Sequence, residues 1–172
     1  GGGVDALLEL RDAGAVAEVG LGMNWPDWIL RVLREHPRAA DLDSVMVAGR
    51  WNLLDASALP VLLACGEMGL EVHNAGIFAS GLLAGGATFN YSAAPAEAEA
   101  KAAQWKALAA RHGLTLPEAA VAFSLVPTAV TRIAIGVKSP KEVREAVAML
   151  RKVAAAGAAA AAAAAAVASV DV

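Results

Sequence analysis

Ser139-Pro140-Lys141-Glu142, just behind the apolar run Ile133-Ala134-Ile135-Gly136, has the residue types of a helix start built to meet an anion. Ser139 predicts an N-cap, Pro140 suits the first helical position, and Glu142 can reach back to close a capping box. The unpaired N–H groups of such a first turn, with Lys138 beside them, have the chemistry to bind a nucleotide phosphate. A plain surface helix cap is the other reading of the same four residues.

The remaining reactive side chains point to no second chemistry. His36, His73 and His112 have no metal-ligand spacing among themselves or with Cys65, so no metal site is expected. His36 and His112 fall at helix C-termini, where an imidazole complements the dipole, and His73 falls on a strand. Cys65 is the single cysteine and sits in the run VLLAC, which predicts a buried thiol in a reducing compartment. Trp28 and Trp105 lie on apolar helical faces and are expected in the core.

Short strands that alternate with helices must position the Ser139 turn. Val16–Leu21 reads as a strand, followed by a helix over Trp25–His36. A second strand begins at Ser44–Val47 and a helix follows to about Glu67. Leu70–Asn74 is the third strand, opening into a long loop from Ala75 to Pro95. Helices over Ala96–His112 and Pro117–Val126 lead to a fourth strand, Arg132–Ile135. Such alternation predicts an α/β fold with four parallel strands and crossover helices.

The residues at the C-terminal ends of those strands resemble the second half of an aldo-keto reductase barrel. Gly22-Met23-Asn24 is similar to the family's Gly-x-Ser-Asn after its fifth strand. Gly81-Leu82-Leu83 is similar to the end of the loop after the seventh, and Ile135-Gly136 with Ser139-Pro140 to the dinucleotide-binding segment after the eighth. AGRWNLLD (Ala48–Asp55), GIFASGLL (Gly76–Leu83) and GGATFNYSAAP (Gly85–Pro95) resemble the branch of sugar dehydrogenases acting on galactose-type, fucose-type or threo-configured aldoses. The resemblance runs from about Val4 to Leu150, and implies residues 1–152 as the C-terminal half of a TIM (β/α)8 barrel. A whole barrel takes about 250 residues, whereas this chain has 172.

The resemblance also implies roles. Asn24 would hold the nicotinamide carboxamide of NAD or NADP, with a helix N-cap as its alternative; Met23 replaces the family's serine hydroxyl with a thioether. Ala48 stands where many reductases have a supporting glutamine. Gly76, Ile77, Phe78, Ala79, Ser80 and Gly81 would form the loop over the pyrophosphate, and Gly136, Lys138 and Ser139 the turn at the last helix. Glu142 occupies the position of the arginine that meets the 2′-phosphate in NADPH-preferring members, which favours NAD, since a carboxylate repels that phosphate and can accept from a free 2′-hydroxyl. Glu145 matches the family, while Ala146 replaces the asparagine at the adenine edge. Trp25 and Trp51, just after strand ends, are expected at the sugar site.

The family's Asp, Tyr, Lys and His tetrad belongs to the first half of the barrel, so no catalytic residue is expected in this chain; Tyr91, its only tyrosine, lies in the long loop. The expected function is therefore the cofactor-binding half of an NAD(P)-dependent aldose dehydrogenase acting on a sugar or aldehyde. The alternative is a non-catalytic half-barrel that self-associates or pairs with a complementary half, because open strand edges and a bare barrel interior favour association.

Composition narrows the classes. A net charge of −3 with scattered Lys and Arg argues against nucleic acid. The start, Gly1-Gly2-Gly3-Val4-Asp5, lacks a basic-then-apolar leader, so a cytoplasmic location is expected. Mean hydropathy is +0.52, much of it from alanine. The segment 153–172 is alanine-rich, and alanine favours helix far more than it favours a bilayer, so this tail reads as helical or disordered rather than as a membrane span.

Overall fold

A computed structural model describes residues 2–168, with side chains to residue 156. Ser169–Val172, the end of the alanine-rich tail, lie outside the described residues. In chain order the elements are α1 (Gly3–Asp12), β1 (Gly20–Met23), α2 (Pro26–Glu35), β2 (Ser44–Ala48), α3 (Leu59–Met68), β3 (Glu71–Ala75), β4 (Thr88–Phe89), β5 (Ser92–Ala93), α4 (Ala96–Arg111), α5 (Leu116–Ser124), β6 (Val130–Ala134) and α6 (Pro140–Ala168). Strands β1, β2, β3 and β6 form one parallel sheet in that order, each pair joined through at least one helix. A parallel sheet needs such crossovers, and here successive strands are neighbours throughout.

The alternation along each strand assigns its two faces. Val45, Val47 and Val72 are fully or almost fully buried under the helices, where Ile29, Leu33, Val61, Leu62, Val121 and Phe123 complete the core. The opposite face carries Ser44, Met46 and Ala48 beside Glu71, His73 and Ala75, in the register Met46↔His73↔Arg132. No helix covers this second face among the described residues, and Met46 is 36% exposed on it. A sheet with helices on one side and a concave face open on the other is half of a barrel.

Apart from shifts of one or two residues at element ends, those of β3, α5 and β6 among them, the structure differs from expectation at β1, in the long loop and at Trp28. Strand β1 starts at Gly20 rather than Val16, because Val19 is tied to Asp43: its N–H donates to Asp43 Oδ2 at 2.7 Å and its carbonyl accepts from Asp43 N at 2.9 Å, so the ladder opens one residue later at Gly20↔Ser44. The long loop after β3 contains a 3₁₀ segment, Ala79–Ala84, and the hairpin β4–β5. Trp28 is not a core residue. It is 58% exposed, with the Arg31 guanidinium 5.5 Å from the ring centroid, because α2 buries the stripe of Ile29 and Leu33 and turns Trp28 aside. Trp105 is half-buried against the core.

Glu118 fastens the last two helices. Its Oε2 accepts from Thr115 N at 2.8 Å, closing a capping box at the start of α5, and its Oε1 lies 2.7 Å from Lys152 Nζ on α6. Burial acts to raise the Glu118 pKa, but the Lys152 ammonium and the Thr115 contacts outweigh it and hold the carboxyl below the usual carboxylate range. A carboxyl depressed in the folded state stabilises at neutral pH and loses that contribution as pH falls below the unfolded value, 4.5, toward the folded one. Glu118→Ala is expected to cost about 1–2 kcal/mol at pH 7. Thermal unfolding of parent and variant across pH checks this: the gap in Tm should narrow in acid, and a gap that persists unchanged there would deny the ionised pair its part.

Candidate functional site

The C-terminal ends of β3 and β6 open into a cleft of about 620 Å3, walled on one side by Gly76–Gly81 and on the other by Ala134–Lys138 with Glu142. Backbone geometry shapes the first wall. Gly76 has φ +71°, and a Cβ there would lie 2.9 Å from Gly49 N, so only glycine lets the loop after β3 cross the loop after β2 this closely. Ala79 and Ser80 also take positive φ, 48° and 58°, which turns the loop back over the cleft. The β4–β5 hairpin is fastened to this kink: Thr88 Oγ1 donates to the Ser80 carbonyl and Tyr91 N donates to Ser80 Oγ at 3.3 Å.

The second wall is the helix start foreseen from Ser139-Pro140-x-Glu142. Glu142 N donates to Ser139 Oγ at 3.2 Å, which forms the serine half of the expected capping box, while Glu142 Oε2 reaches one residue further back and accepts from Lys138 N at 2.9 Å rather than from Ser139 N. The carboxylate thus occupies the turn where an incoming anion would seek N–H donors. Beside it, a Cβ on Gly136 would meet nothing within 4 Å, and that absent side chain leaves room for a ligand along the strand end. An adjoining hollow of about 530 Å3 continues between α5 and α6 and includes Glu145 and Ala146; Glu145 also forms an exposed ion pair with Lys141 at 3.7 Å.

A smaller hollow of about 190 Å3 lies over the ends of β1, β2 and β3, lined by Asn24, Ala48, Arg50, Gly76 and Ser80 under the hairpin residues Phe89 and Tyr91. Asn24 does not cap α2; Trp25 occupies the cap position without a side-chain hydrogen bond, and Asn24 lines the hollow instead.

Of the cofactor-binding residues expected from sequence, Gly76, Ile77, Phe78, Ser80, Gly81, Gly136, Lys138 and Glu142 meet at the main cleft, Glu145 at its extension and Asn24 at the smaller hollow, while Ser139 acts by holding the turn. The two tryptophans expected at a sugar site do not line these hollows. Trp25 is 62% exposed beside them. Trp51 is a correction: it is only 5% exposed, stacked on Phe123 with centroids 4.7 Å apart, and its indole N–H donates to the Val126 carbonyl. Its backbone carbonyl also accepts from the buried Asn74 side chain, so the ring is drawn to the helix side of the sheet, away from the strand ends.

Sequence reading passed over Arg50, Asn52 and Asp55 as individual residues. The available signal was the segment AGRWNLLD itself, whose Asn and Asp are turn formers bracketing an apolar pair. Asp55 accepts from Ser57 N, Ser57 Oγ and Arg50 Nη1 at 2.9, 2.6 and 3.1 Å. Burial pushes its pKa up, and the Ser57 and Arg50 contacts outweigh burial, leaving the carboxyl below its ordinary value. Cys65, by contrast, is buried and its thiol is pushed up to about 11, so it stays protonated and unreactive at neutral pH. Among the described residues there is no group of side chains placed to hold a metal ion, and no helix long and apolar enough to cross a membrane.

Comparison with known proteins agrees with this geometry. Residues 3–161 match the Aldo/keto reductase family. The chain is 39% identical over 152 residues to pyridoxal 4-dehydrogenase of Microbacterium luteolum, covering 86% of this chain and 43% of that protein. It is 34% identical over 146 residues to D-threo-aldose 1-dehydrogenase of a Pseudomonas species, covering 81% and 43%. Among solved structures it superposes on aldo-keto reductase AKR11C1 of Bacillus halodurans, in its holo form, with a TM-score of 0.62 and 21% identity over 84% of this chain and 48% of that one. The chain therefore spans less than half the length of these relatives, with its four strands matching part of their fold. On the family match across most of its length, together with the half-barrel and the clefts at its strand ends, this chain belongs to the aldo/keto reductase family.

Proposed function

We propose that the chain is the cofactor-binding half of an NAD(P)-dependent dehydrogenase that acts on an aldose or a related small aldehyde. The observation that carries this reading is the cleft between the Gly76–Gly81 loop and the capped start of α6, where open space beside Gly136 and the close-crossing glycine loop suit a dinucleotide backbone. The bound cofactor would supply the hydride acceptor. This chain's residues would do the rest of its binding: Ser80 and Gly81 over the pyrophosphate, Lys138 and the α6 turn at the adenosine end, and Asn24 at the nicotinamide carboxamide.

The residues fit NAD better than NADP. Glu142 already presents its carboxylate to the Lys138 N–H, so the turn carries its own negative charge and a 2′-phosphate would meet repulsion where a 2′-hydroxyl would not. The names of the two relatives, a pyridoxal 4-dehydrogenase and a D-threo-aldose 1-dehydrogenase, support a small carbonyl-level substrate. Fluorescence titration of NADH and NADPH into the chain tests the reading, with tighter binding of NADH expected; failure to bind either cofactor would sink it.

A second reading rests on the bare sheet face. Strands β1 and β6 each have one sheet neighbour, and Met46, His73 and Arg132 line the uncovered concave side. Unpaired edges and an exposed interior favour self-association or pairing with a complementary half. Sedimentation of the chain alone is expected to show species above the monomer mass. A single monomeric species that binds no hydrophobic dye would remove this reading.

A further inference from the structure

We infer that Arg50, locked in place by Asp55, is a positioning residue that holds Asn24 at the smaller hollow to meet the nicotinamide end of a dinucleotide. The inference rests on the cofactor reading above and deepens it. Asn24 lies past the last ladder pair of the edge strand β1, Met23↔Val47, and immediately before α2, so neither sheet nor helix fixes its backbone. Its carbonyl instead accepts from Arg50 Nε at 3.0 Å.

Arg50 can do this because the segment behind it is rigid. Asn52 and Asp55 exchange backbone bonds at 2.8 and 3.1 Å, while Asn52 Oδ1 accepts from Leu54 N and its Nδ2 donates to the Gly49 carbonyl. Asn52 is 2% exposed within this knot. Asp55 uses Oδ1 for both Ser57 donors and keeps Oδ2 for Arg50 Nη1. One planar guanidinium therefore faces two acceptors in different directions, a carboxylate on its own loop and a carbonyl on the neighbouring one. A lysine ammonium carries the same charge and lacks that fork.

The test titrates NADH and ADP-ribose, which lacks the nicotinamide, into the parent chain and into Arg50→Lys, Asp55→Asn and Asn24→Ala variants. Both Arg50→Lys and Asp55→Asn are expected to weaken NADH about five- to tenfold, the scale of one misplaced hydrogen bond, and to leave ADP-ribose within about twofold of the parent. In the Asn24→Ala background, Arg50→Lys should cause no further loss, because the two act through one contact. Equal weakening of both ligands, undiminished NADH binding in both single variants, or additive losses in the double variant would each overturn the inference. Unfolding of both Arg50→Lys and Asp55→Asn would also overturn it, by assigning the pair to the fold. A parent chain that binds ADP-ribose and NADH with these outcomes leaves the cofactor reading standing, whereas a parent that binds neither sinks that reading and the role of Arg50 together.

Discussion

The 172-residue chain by itself is expected to show no dehydrogenase turnover with NAD or NADP and galactose, fucose or arabinose. Moving a hydride from a sugar C1 requires a partner that takes the hydroxyl proton, and a positioned general base typically contributes a factor of about 100 to 10,000. The smaller hollow proposed for the nicotinamide end is lined by amides, small residues, Arg50, Phe89 and Tyr91, and the carboxylate lining the main cleft, Glu142, is engaged with Lys138 N at the start of α6. Tyr91 is 97% exposed at the hairpin tip, where its backbone takes a positive φ of 63°, so its phenol stands in solvent rather than in an enclosed site. His73 lies on the concave face, but mid-strand and 3.4 Å from Glu71, rather than at a strand end. Bound cofactor without a proton acceptor leaves the reaction stalled. Steady-state assays check this, and turnover above a buffer control that disappears on mutating a residue of this chain would show that the reaction runs on a base the strand ends do not display.

The parallel order and the Ser139 turn were legible because they rest on local rules. A helix cap needs only a hydroxyl and a carboxylate at fixed offsets, and the Ser139–Glu142 N bond follows from that spacing, although the carboxylate settled on Lys138 N instead of Ser139 N. Strand and helix order followed in the same way from alternation of apolar runs. What could not be read was which face each aromatic side chain would take. Trp51 follows a strand end, as a substrate-lining residue would, yet its carbonyl partner Val126 lies 75 residues on, close in sequence to the stacking Phe123, and only the folded chain brings them together. Trp28 misled for the opposite reason, since one step along α2 separates it from the buried Ile29 stripe. The Arg50–Asn24 contact was invisible for a similar cause, being a side chain reaching a backbone atom on another strand's loop.

Replacing Glu142 by Arg should turn the proposed preference for NAD into one for NADP. At an effective dielectric near 20, a unit charge about 6 Å from another interacts by roughly 3 kcal/mol before screening, and salt and exposure reduce this to about 1–2 kcal/mol. Reversing the sign removes a repulsion and adds an attraction, so the ratio of NADH to NADPH affinity is expected to shift by roughly a hundredfold, the equivalent of about 2.7 kcal/mol. The variant also gives up the carboxylate that accepts from Lys138 N, which by itself frays the start of α6 and would weaken both cofactors alike. Glu142→Gln separates the two effects, because its amide oxygen can still accept that N–H while the charge is gone; it should move the ratio by about half as much on a logarithmic scale. Titrating both reduced cofactors into the parent and the two variants measures the series. A ratio that stays constant across Glu, Gln and Arg would show that the start of α6 does not face the adenosine ribose, and a loss of both cofactors in parallel would reduce Glu142 to a helix cap.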